Sequence, residues 1–327
     1  MRAILVESTG GPEVLTYRED VAAPTLPAAD TTSTPRLLVK VSVAGINYID
    51  TYFREGLYPT PLPFIPGQEG AGTVVDDPSG TFQPGQRVAW QGVMGSYAEY
   101  QVVPLTHIVA VPDTIGDEVA ASMLLQGLTA HALIHGVYEV SEGTSILLTG
   151  GAGGVGLMLT QLAAATGATV YTVTSTDEKE KLSLAAGATQ VFRYGDDLAA
   201  RVRAANGGKG VDVVYDGVGT STFAQSLDAV RPRGLVALFG AASGPVDPID
   251  PQVLNQKGSI YLTRPSMMAY VHDADERQWR QSEVVNAVAD GTLSITVGAS
   301  YPLAEARQAH TDLQARTTTG SIVLDLS

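Results

Sequence analysis

One turn near the middle of the chain limits its fold more than any other feature. Ser145-Ile146-Leu147-Leu148 is a short apolar run with strand character, and Leu157 to Thr166 carries helical periodicity. Between them, in Thr149-Gly150-Gly151-Ala152-Gly153-Gly154-Val155-Gly156, the residues Gly151, Gly153 and Gly156 fill the glycine positions of a G-x-G-x-x-G turn. Such a turn between strand and helix lets the backbone approach a pyrophosphate and aims a helix N-terminus at its charge. The implied ligand is a dinucleotide.

The surroundings agree. From about residue 118 helical periodicity runs to Val137, and then short apolar runs alternate with helical ones. The pattern predicts strands at 145–149, 169–174, 190–194, 211–215 and 234–239, with helices at 154–166, 176–186, 196–206 and 221–230. Strand, helix, strand at this spacing means a doubly wound parallel sheet. Gly167-Ala168 and Gly187-Ala188 stop two of the helices, and Ser259 to Leu262 is expected to add a last strand.

Residues 1–115 read as a β domain. Strands are expected at Met1–Glu7, Leu37–Val43, Gly72–Val75, Arg87–Trp90 and Ala98–Val103, separated by Gly and Pro turns. Pro59, Pro61, Pro63 and Pro66 make 58–67 a stiff loop, and 27–36 reads as a loose surface insertion. The tail is mixed: a helix from Glu276 to Ala289, a strand Ser294–Val297, a helix 302–316 and a strand Ser321–Leu326. It is expected to rejoin the first domain, so that the nucleotide domain is an insertion.

Composition excludes several chemistries. The 327 residues contain no cysteine, so disulfides, thiolate nucleophiles and Cys-based zinc sites are impossible. The formal net charge of −14 repels a polyanion, so no nucleic-acid partner is expected. No apolar run approaches the ~18 residues of a membrane helix, and the start reads as a strand and not a signal peptide. A cytoplasmic protein without membrane contact is the expectation.

Several segments, in order, carry a family resemblance: Gly10-Gly11-Pro12-Glu13-Val14-Leu15, Gly45-Ile46-Asn47-Tyr48-Ile49-Asp50-Thr51-Tyr52, Gly56-Leu57-Tyr58-Pro59, Gly127-Leu128-Thr129-Ala130, Ala152 to Gly156, Val214-Tyr215-Asp216-Gly217-Val218-Gly219 and Leu254-Asn255-Gln256-Lys257-Gly258-Ser259. The chain resembles the quinone oxidoreductases of the zeta-crystallin-like, zinc-free branch of the medium-chain dehydrogenase/reductase superfamily. The resemblance covers nearly the whole chain and is weakest at 22–36. It implies an α/β protein: a GroES-like β-rich catalytic domain at 1–122 and 263–327, and a Rossmann NADPH-binding domain at 123–262. It places the cofactor in the cleft between them and implies a homodimer joined through the edges of the Rossmann sheets.

Zinc members of the superfamily carry Gly-His-Glu where this chain has Gly67-Gln68-Glu69, and Gln68 is a poor zinc ligand. Glu69 then reads as a structural carboxylate. His131 and His135, one helical turn apart, have metal-ligand spacing, but no glutamate makes them H-E-x-x-H, and packed histidines are the simpler reading.

In dinucleotide sheets of the NAD type an acidic residue at the end of the second strand binds the ribose diol. That position is Thr174 here, followed by Ser175 and, a turn later, Lys179. A hydroxyl and an ammonium suit a 2′-phosphate, which a carboxylate would repel. The cofactor is therefore read as NADPH. The resemblance sets Lys179 and Tyr194 beside the adenosine phosphate, with Arg316 as a further cation. Ser175-Thr176-Asp177-Glu178 also fits a capping box with Ser175 as N-cap.

The resemblance puts Asn47, Asp50, Tyr52 and Tyr58 at the nicotinamide end and substrate entrance, and Thr129 near the carboxamide. Asn47 suits a hydrogen bond to a ribose or substrate oxygen, and Tyr52 or Tyr58 suits donation to the oxygen that gains charge. Asp50 orients Tyr52 or caps a short helix. Gly217, Val218, Phe239 and Gly240 follow strand ends, where parallel sheets bind ligands, although tight turns explain the glycines equally. The expected reaction is metal-free hydride or electron transfer from NADPH to a quinone. Two neighbouring readings keep the fold and cofactor: reduction of an enone, and an NADPH-binding protein without catalysis.

Overall fold

The computed structural model describes residues 1–27 and 34–327. Most of the loose insertion read at 27–36 therefore lies outside the described residues. Contacts divide the chain into two compact units, Met1–Gln126 with Gln281–Ser327, and Gly127–Arg280. Residues 263–280, assigned on sequence to the first domain, cluster with the second unit, and residues 123–126 cluster with the first.

The first unit begins with β1 (Ala3–Val6) paired antiparallel to β2 (Leu15–Arg18). Then come β3 (Arg36–Ile46), α1 (Tyr48–Glu55), β4 (Glu69–Asp76), β5 (Arg87–Gln91), β6 (Tyr100–Pro104), β7 (Ile108–Ala110) and α2 (Asp117–Ala132). The short helix that Asp50 was read as able to cap is present as α1, although Tyr48-Ile49-Asp50-Thr51-Tyr52-Phe53 is rich in β-branched and aromatic residues, which are poor helix formers. It forms because its ends are fixed: Asp50 Oδ2 accepts the Asn47 N–H at 2.8 Å, and Gly56 closes the helix at φ 78°. The helix read to Val137 ends instead at Ala132, where Leu133–Val137 widens into a π-type turn.

The second unit contains β8 (Ser145–Thr149), α3 (Gly154–Ala165), β9 (Thr169–Thr174), α4 (Asp177–Ala185), β10 (Gln190–Arg193), α5 (Leu198–Ala205), β11 (Val211–Asp216), α6 (Phe223–Ala229), β12 (Val230–Leu238), α7 (Gln252–Gln256), β13 (Tyr261–Thr263) and α8 (Met267–Tyr270). Its six strands run parallel in the order β10-β9-β8-β11-β12-β13. Strand order reverses between β8 and β11, which is where an open α/β sheet binds its ligand. β12 starts earlier than read, at Val230, because a register shift against β11 and the left-handed Arg233 (φ 56°) carry the chain past Pro232.

The helix α9 (Ala274–Ala289) leads back into the first unit, followed by β14 (Val297–Pro302), α10 (Ala306–Gln314) and β15 (Ser321–Asp325). The main sheet there runs β14-β15-β3-β4-β5-β7, with β6 on β3. The strand expected at Ser294–Val297 lies later, at Val297–Pro302, where Gly298 lets it pass the 319 carbonyl: a Cβ would lie 1.8 Å from Thr319 O. Trp90, Leu37, Ile4, Tyr97 and Ile46 fill the core of this unit. No helix among the described residues is long and apolar enough to cross a membrane.

Asp216, fully buried at the end of β11, is a hub of the second unit. Its Oδ1 accepts from Thr149 Oγ1 (2.9 Å), Val218 N (2.9 Å) and Gly219 N (3.1 Å), and its Oδ2 from Thr222 Oγ1 (2.8 Å) and Ser226 Oγ (2.7 Å). Asp216→Ala orphans buried backbone and hydroxyl donors and is expected to cost about 3 kcal/mol or more. Asp216→Asn is expected to cost less, because the Thr222 and Ser226 hydroxyls can turn to accept. Denaturant unfolding of both variants checks the ranking.

Candidate functional site

The glycines of the central turn have different reasons to be glycine. A Cβ on Gly151 would lie 2.6 Å from Thr172 Cβ on β9, and one on Gly156 would lie 2.3 Å from Gly150 O. Both are required by close packing. Gly153 is different: it is exposed, has φ −79°, and an added Cβ would meet only Gly150 O at 3.4 Å. The fold itself places no demand for glycine there. Gly153 is also the N-cap of α3, and among the described residues no side chain accepts the first-turn N–H groups around Gly154, Val155 and Gly156. A bare helix N-terminus behind a needlessly small residue fits a closely approaching pyrophosphate. Tyr194 borders this cradle, its hydroxyl accepting the Gly150 N–H at 3.0 Å.

At the end of β9, Thr174 is buried and Ser175 is exposed. The N-cap of α4 is Thr176 and not Ser175: Thr176 Oγ1 accepts the Lys179 N–H at 3.2 Å. The capping box read from Ser175 and Glu178 does not form: Thr176 is the residue whose backbone is extended (φ −138°, ψ 162°) directly before the helix, so the third helical residue is Lys179, which cannot accept the N-cap N–H. Lys179 occupies the first turn of α4. Arg193, which was not singled out from sequence, pairs in register with Thr174 and donates to its Oγ1 at 2.9 Å. Its other contacts are Asp177 Oδ1 at 2.6 Å and Glu180. Its place beside Thr174 follows from the parallel register, which pairs the last residues of β10 and β9.

At the ends of β11 and β12 the glycines press on each other. A Cβ on Gly240 would lie 2.3 Å from Gly217 O, and one on Gly217 would lie 2.7 Å from the Phe239 ring. Backbone packing therefore accounts for Gly217 and Gly240 without a ligand. Val218 is buried, and its N–H is held by Asp216. Thr129 is half-buried within α2.

In the first unit the polar residues form a closed set. Asn47 is buried, with Nδ2 donating to Glu69 Oε2 (3.0 Å) and Oδ1 accepting from Gln126 Nε2 (3.0 Å). Ser321 Oγ donates in turn to Gln126 Oε1 at 2.7 Å, and Leu125 N to Glu69 Oε1 at 2.7 Å. Asp50 accepts the Asn47 N–H and the Tyr97 hydroxyl at 3.2 Å, so it caps α1 and does not orient Tyr52. Tyr52 and Tyr58 meet edge-on at 5.5 Å, and Phe53 meets Tyr58 at 5.6 Å. Tyr58 is 36% exposed, which leaves part of this aromatic wall open. Arg316 follows α10 in the left-handed region (φ 58°), with its guanidinium against the Tyr48 hydroxyl.

Family profiles match both halves: an alcohol dehydrogenase GroES-like domain over residues 34–113 and a zinc-binding dehydrogenase over residues 154–281. A quinone oxidoreductase of Pseudomonas aeruginosa is 42% identical over 320 residues, 96% of each chain. Among solved structures, a mycobacterial protein complexed with NADPH superposes with a TM-score of 0.94 at 47% identity over the whole of both chains. The Escherichia coli quinone oxidoreductase complexed with NADPH does so with a TM-score of 0.94 at 38% identity, again over both whole chains. The chain belongs to the quinone oxidoreductase family.

This quinone oxidoreductase does not carry the donor set for the zinc that one profile's description implies. Cysteine is absent, Gln68 stands where the histidine is expected, and both Glu69 oxygens are taken by Asn47 and Leu125. His131 Nδ1 lies 2.9 Å from the Arg280 guanidinium, which would repel a cation at that nitrogen. Burial, with His135 and Arg280 nearby, lowers the His131 pKa to about 3, and its ring packs on His135 and Trp279. The helix-packing reading of this pair is the one the contacts support.

Burial pushes the Asp50 pKa up to about 7 and the Glu69 pKa up to about 8, against the pull of their hydrogen bonds. A carboxyl with a raised folded pKa binds its proton more tightly folded than unfolded. Its contribution is complete below the unfolded pKa and is lost as pH rises through the folded one. Stability is therefore expected to fall between about pH 4.5 and pH 8, by up to about 1.4 kcal/mol per pH unit for each group. Asp50→Asn keeps an acceptor for Asn47 and Tyr97 and is expected to flatten the part of the curve below pH 7. Urea unfolding across this range checks both.

Proposed function

We propose that this quinone oxidoreductase reduces a quinone with NADPH, and that the protein contributes positioning and hydrogen bonding without a metal. Gly153 carries the reading: it is an exposed glycine that packing does not require, at a helix N-terminus that no side chain among the described residues caps. The N–H groups around Gly153, Gly154, Val155 and Gly156 hold the pyrophosphate. Thr174, Ser175, Lys179 and Tyr194 face the adenosine end, with Arg316 as a further cation. Thr129, Gly217, Val218, Phe239 and Gly240 border the nicotinamide half. When bound, NADPH supplies a hydride equivalent to the acceptor.

Asn47 is a positioning residue in this reading. Its carboxamide is fixed by Glu69 and Gln126, which leaves one N–H free to meet a ribose or acceptor oxygen. Tyr58, held edge-on by Tyr52 and Phe53, is the partly exposed ring that a quinone packs against, and a tyrosine hydroxyl steadies the oxygen that gains charge. An electrophilic quinone needs no Lewis acid, in keeping with the lack of zinc donors. A cytoplasmic homodimer belongs to the same proposal. Tyr261, 64% exposed on the edge strand β13, is available for edge pairing.

Two measurements test the reading. Gly153→Ala is expected to cost no more than about 1 kcal/mol of stability, the difference between glycine and alanine at an N-cap, while NADPH affinity by calorimetry falls about tenfold or more. Gly156→Ala is expected to lose about 1–3 kcal/mol of stability, because its Cβ meets backbone. Undiminished NADPH binding by Gly153→Ala would remove the carrying observation. In a turnover panel at fixed NADPH, 1,4-benzoquinone and 9,10-phenanthrenequinone are expected to outrun short 2-alkenals. Alkenal rates equal to or above the quinone rates would instead assign the enzyme to enone reduction.

A further inference from the structure

We infer that Arg193 reads the 2′-phosphate of the dinucleotide, and that Asp177 and Glu180 hold its guanidinium in reserve for that phosphate. The inference rests on the reading above, in which an NADP-type dinucleotide lies along the turn after β8. It adds a selectivity device that Lys179 and Tyr194 alone do not provide.

Position comes first. In a dinucleotide sheet the side chain ending the second strand faces the adenosine ribose, and a carboxylate there selects the free diol. Here that residue is Thr174, and its Oγ1 is held by Arg193 Nη1 at 2.9 Å. The register pairs the last residue of β10 with the last of β9, so the cation stands beside the diol position. A guanidinium there is a planar fork that meets two phosphate oxygens at once, which an ammonium cannot do.

The carboxylates explain how such a site discriminates. Arg193 Nη2 donates to Asp177 Oδ1 at 2.6 Å and to Glu180 Oε2. Side-chain exposure is 34% for Arg193, 38% for Glu180 and 92% for Asp177. Pairs as open as these are weak and exchange readily with water. A nucleotide with only hydroxyls on its ribose finds the guanidinium neutralised and has nothing to displace the acids with. A 2′-phosphate brings nearly two negative charges and three acceptor oxygens and takes the fork from them. The acids therefore weaken binding of the phosphorylated cofactor while keeping the cation oriented and closed to weaker ligands. The competing account is structural: Arg193 merely clips α4 to β10, in which case its loss would move stability and both nucleotide classes alike.

The test is calorimetric titration of the intact protein with 2′,5′-ADP and with 5′-AMP, which differ only in the 2′-phosphate. Wild type is expected to prefer 2′,5′-ADP. Arg193→Ala is expected to weaken 2′,5′-ADP about tenfold to a hundredfold, the range for losing a charge-assisted pair, and to leave 5′-AMP within about twofold. Arg193→Lys should fall between. Asp177→Asn with Glu180→Gln is expected to tighten 2′,5′-ADP severalfold without moving 5′-AMP. Equal binding of the two ligands by wild type, parallel losses for both in Arg193→Ala, or no loss in that variant would overturn the proposal and leave Arg193 as a clip. Uptake of neither ligand by folded wild type would overturn the nucleotide site itself, a result distinct from these.

Discussion

The carboxylate of Asp216 fixes the ends of the two strands at which the parallel sheet changes direction. Thr149, the last residue of β8, donates its hydroxyl to Asp216 and accepts the Gly217 N–H at 3.0 Å through the same oxygen. The chain leaving β11 turns hard because Gly217 and Gly240 pack backbone on backbone, and that turn exposes N–H groups that need an acceptor. One buried side chain meets several of them and also ties down α6 through Thr222 and Ser226. Gly150 follows Thr149 directly, so the geometry of the phosphate turn is inherited from this carboxylate several residues before any ligand is considered.

The first unit uses buried acids differently. Burial lowers the His310 pKa to about 3, so its ring is neutral. Arg54 has only donors and lies 3.0 Å from His310 Nδ1, which must therefore be the accepting nitrogen. The ring proton is then on Nε2 and points at the Tyr97 oxygen, 3.1 Å away, and the Tyr97 hydroxyl hydrogen goes to Asp50. Every donor in the run Arg54, His310, Tyr97, Asp50 has one direction, and Asp50 ends it by accepting the Asn47 N–H. The placement of Asn47 thus depends on α10, far along the chain, as well as on its neighbours Glu69 and Gln126. Such a directed network specifies one arrangement, because reversing any hydrogen bond leaves a buried group unmatched.

The parallel sheet was legible because its signals are local. Apolar runs of five or six residues with glycine stops mark β8, β9 and β11 to within a residue, and chain order then fixes most of the topology. The β-rich unit was less legible where tertiary contacts override propensity. α1 is made of poor helix formers and is held by its caps. β14 is masked by Gly298 and Pro302, residues explained only by the neighbouring Thr319 carbonyl and the strand end. For the proposed site, Thr174 and Lys179 could be named from position along the chain, and Tyr194 from the family resemblance alone. Arg193 could not, because its relevance comes from register with Thr174, and register between parallel strands is set by packing of helices that sequence periodicity does not fix.

The glycines show where sequence and structure divide the work. Gly151, Gly153 and Gly156 are equivalent letters in a motif, as are Gly217 and Gly240 at strand ends. Placing a Cβ on each separates them. Gly151, Gly156, Gly217 and Gly240 have neighbours within 2.3 to 2.7 Å of that Cβ, so the fold alone would retain them. Gly153 has none closer than 3.4 Å and an ordinary backbone angle. A residue that costs chain entropy and gains nothing from packing points to something outside the chain that needs the space. The motif becomes evidence for a ligand at that one position, whereas the other glycines testify only to how tightly strand, turn and helix are joined.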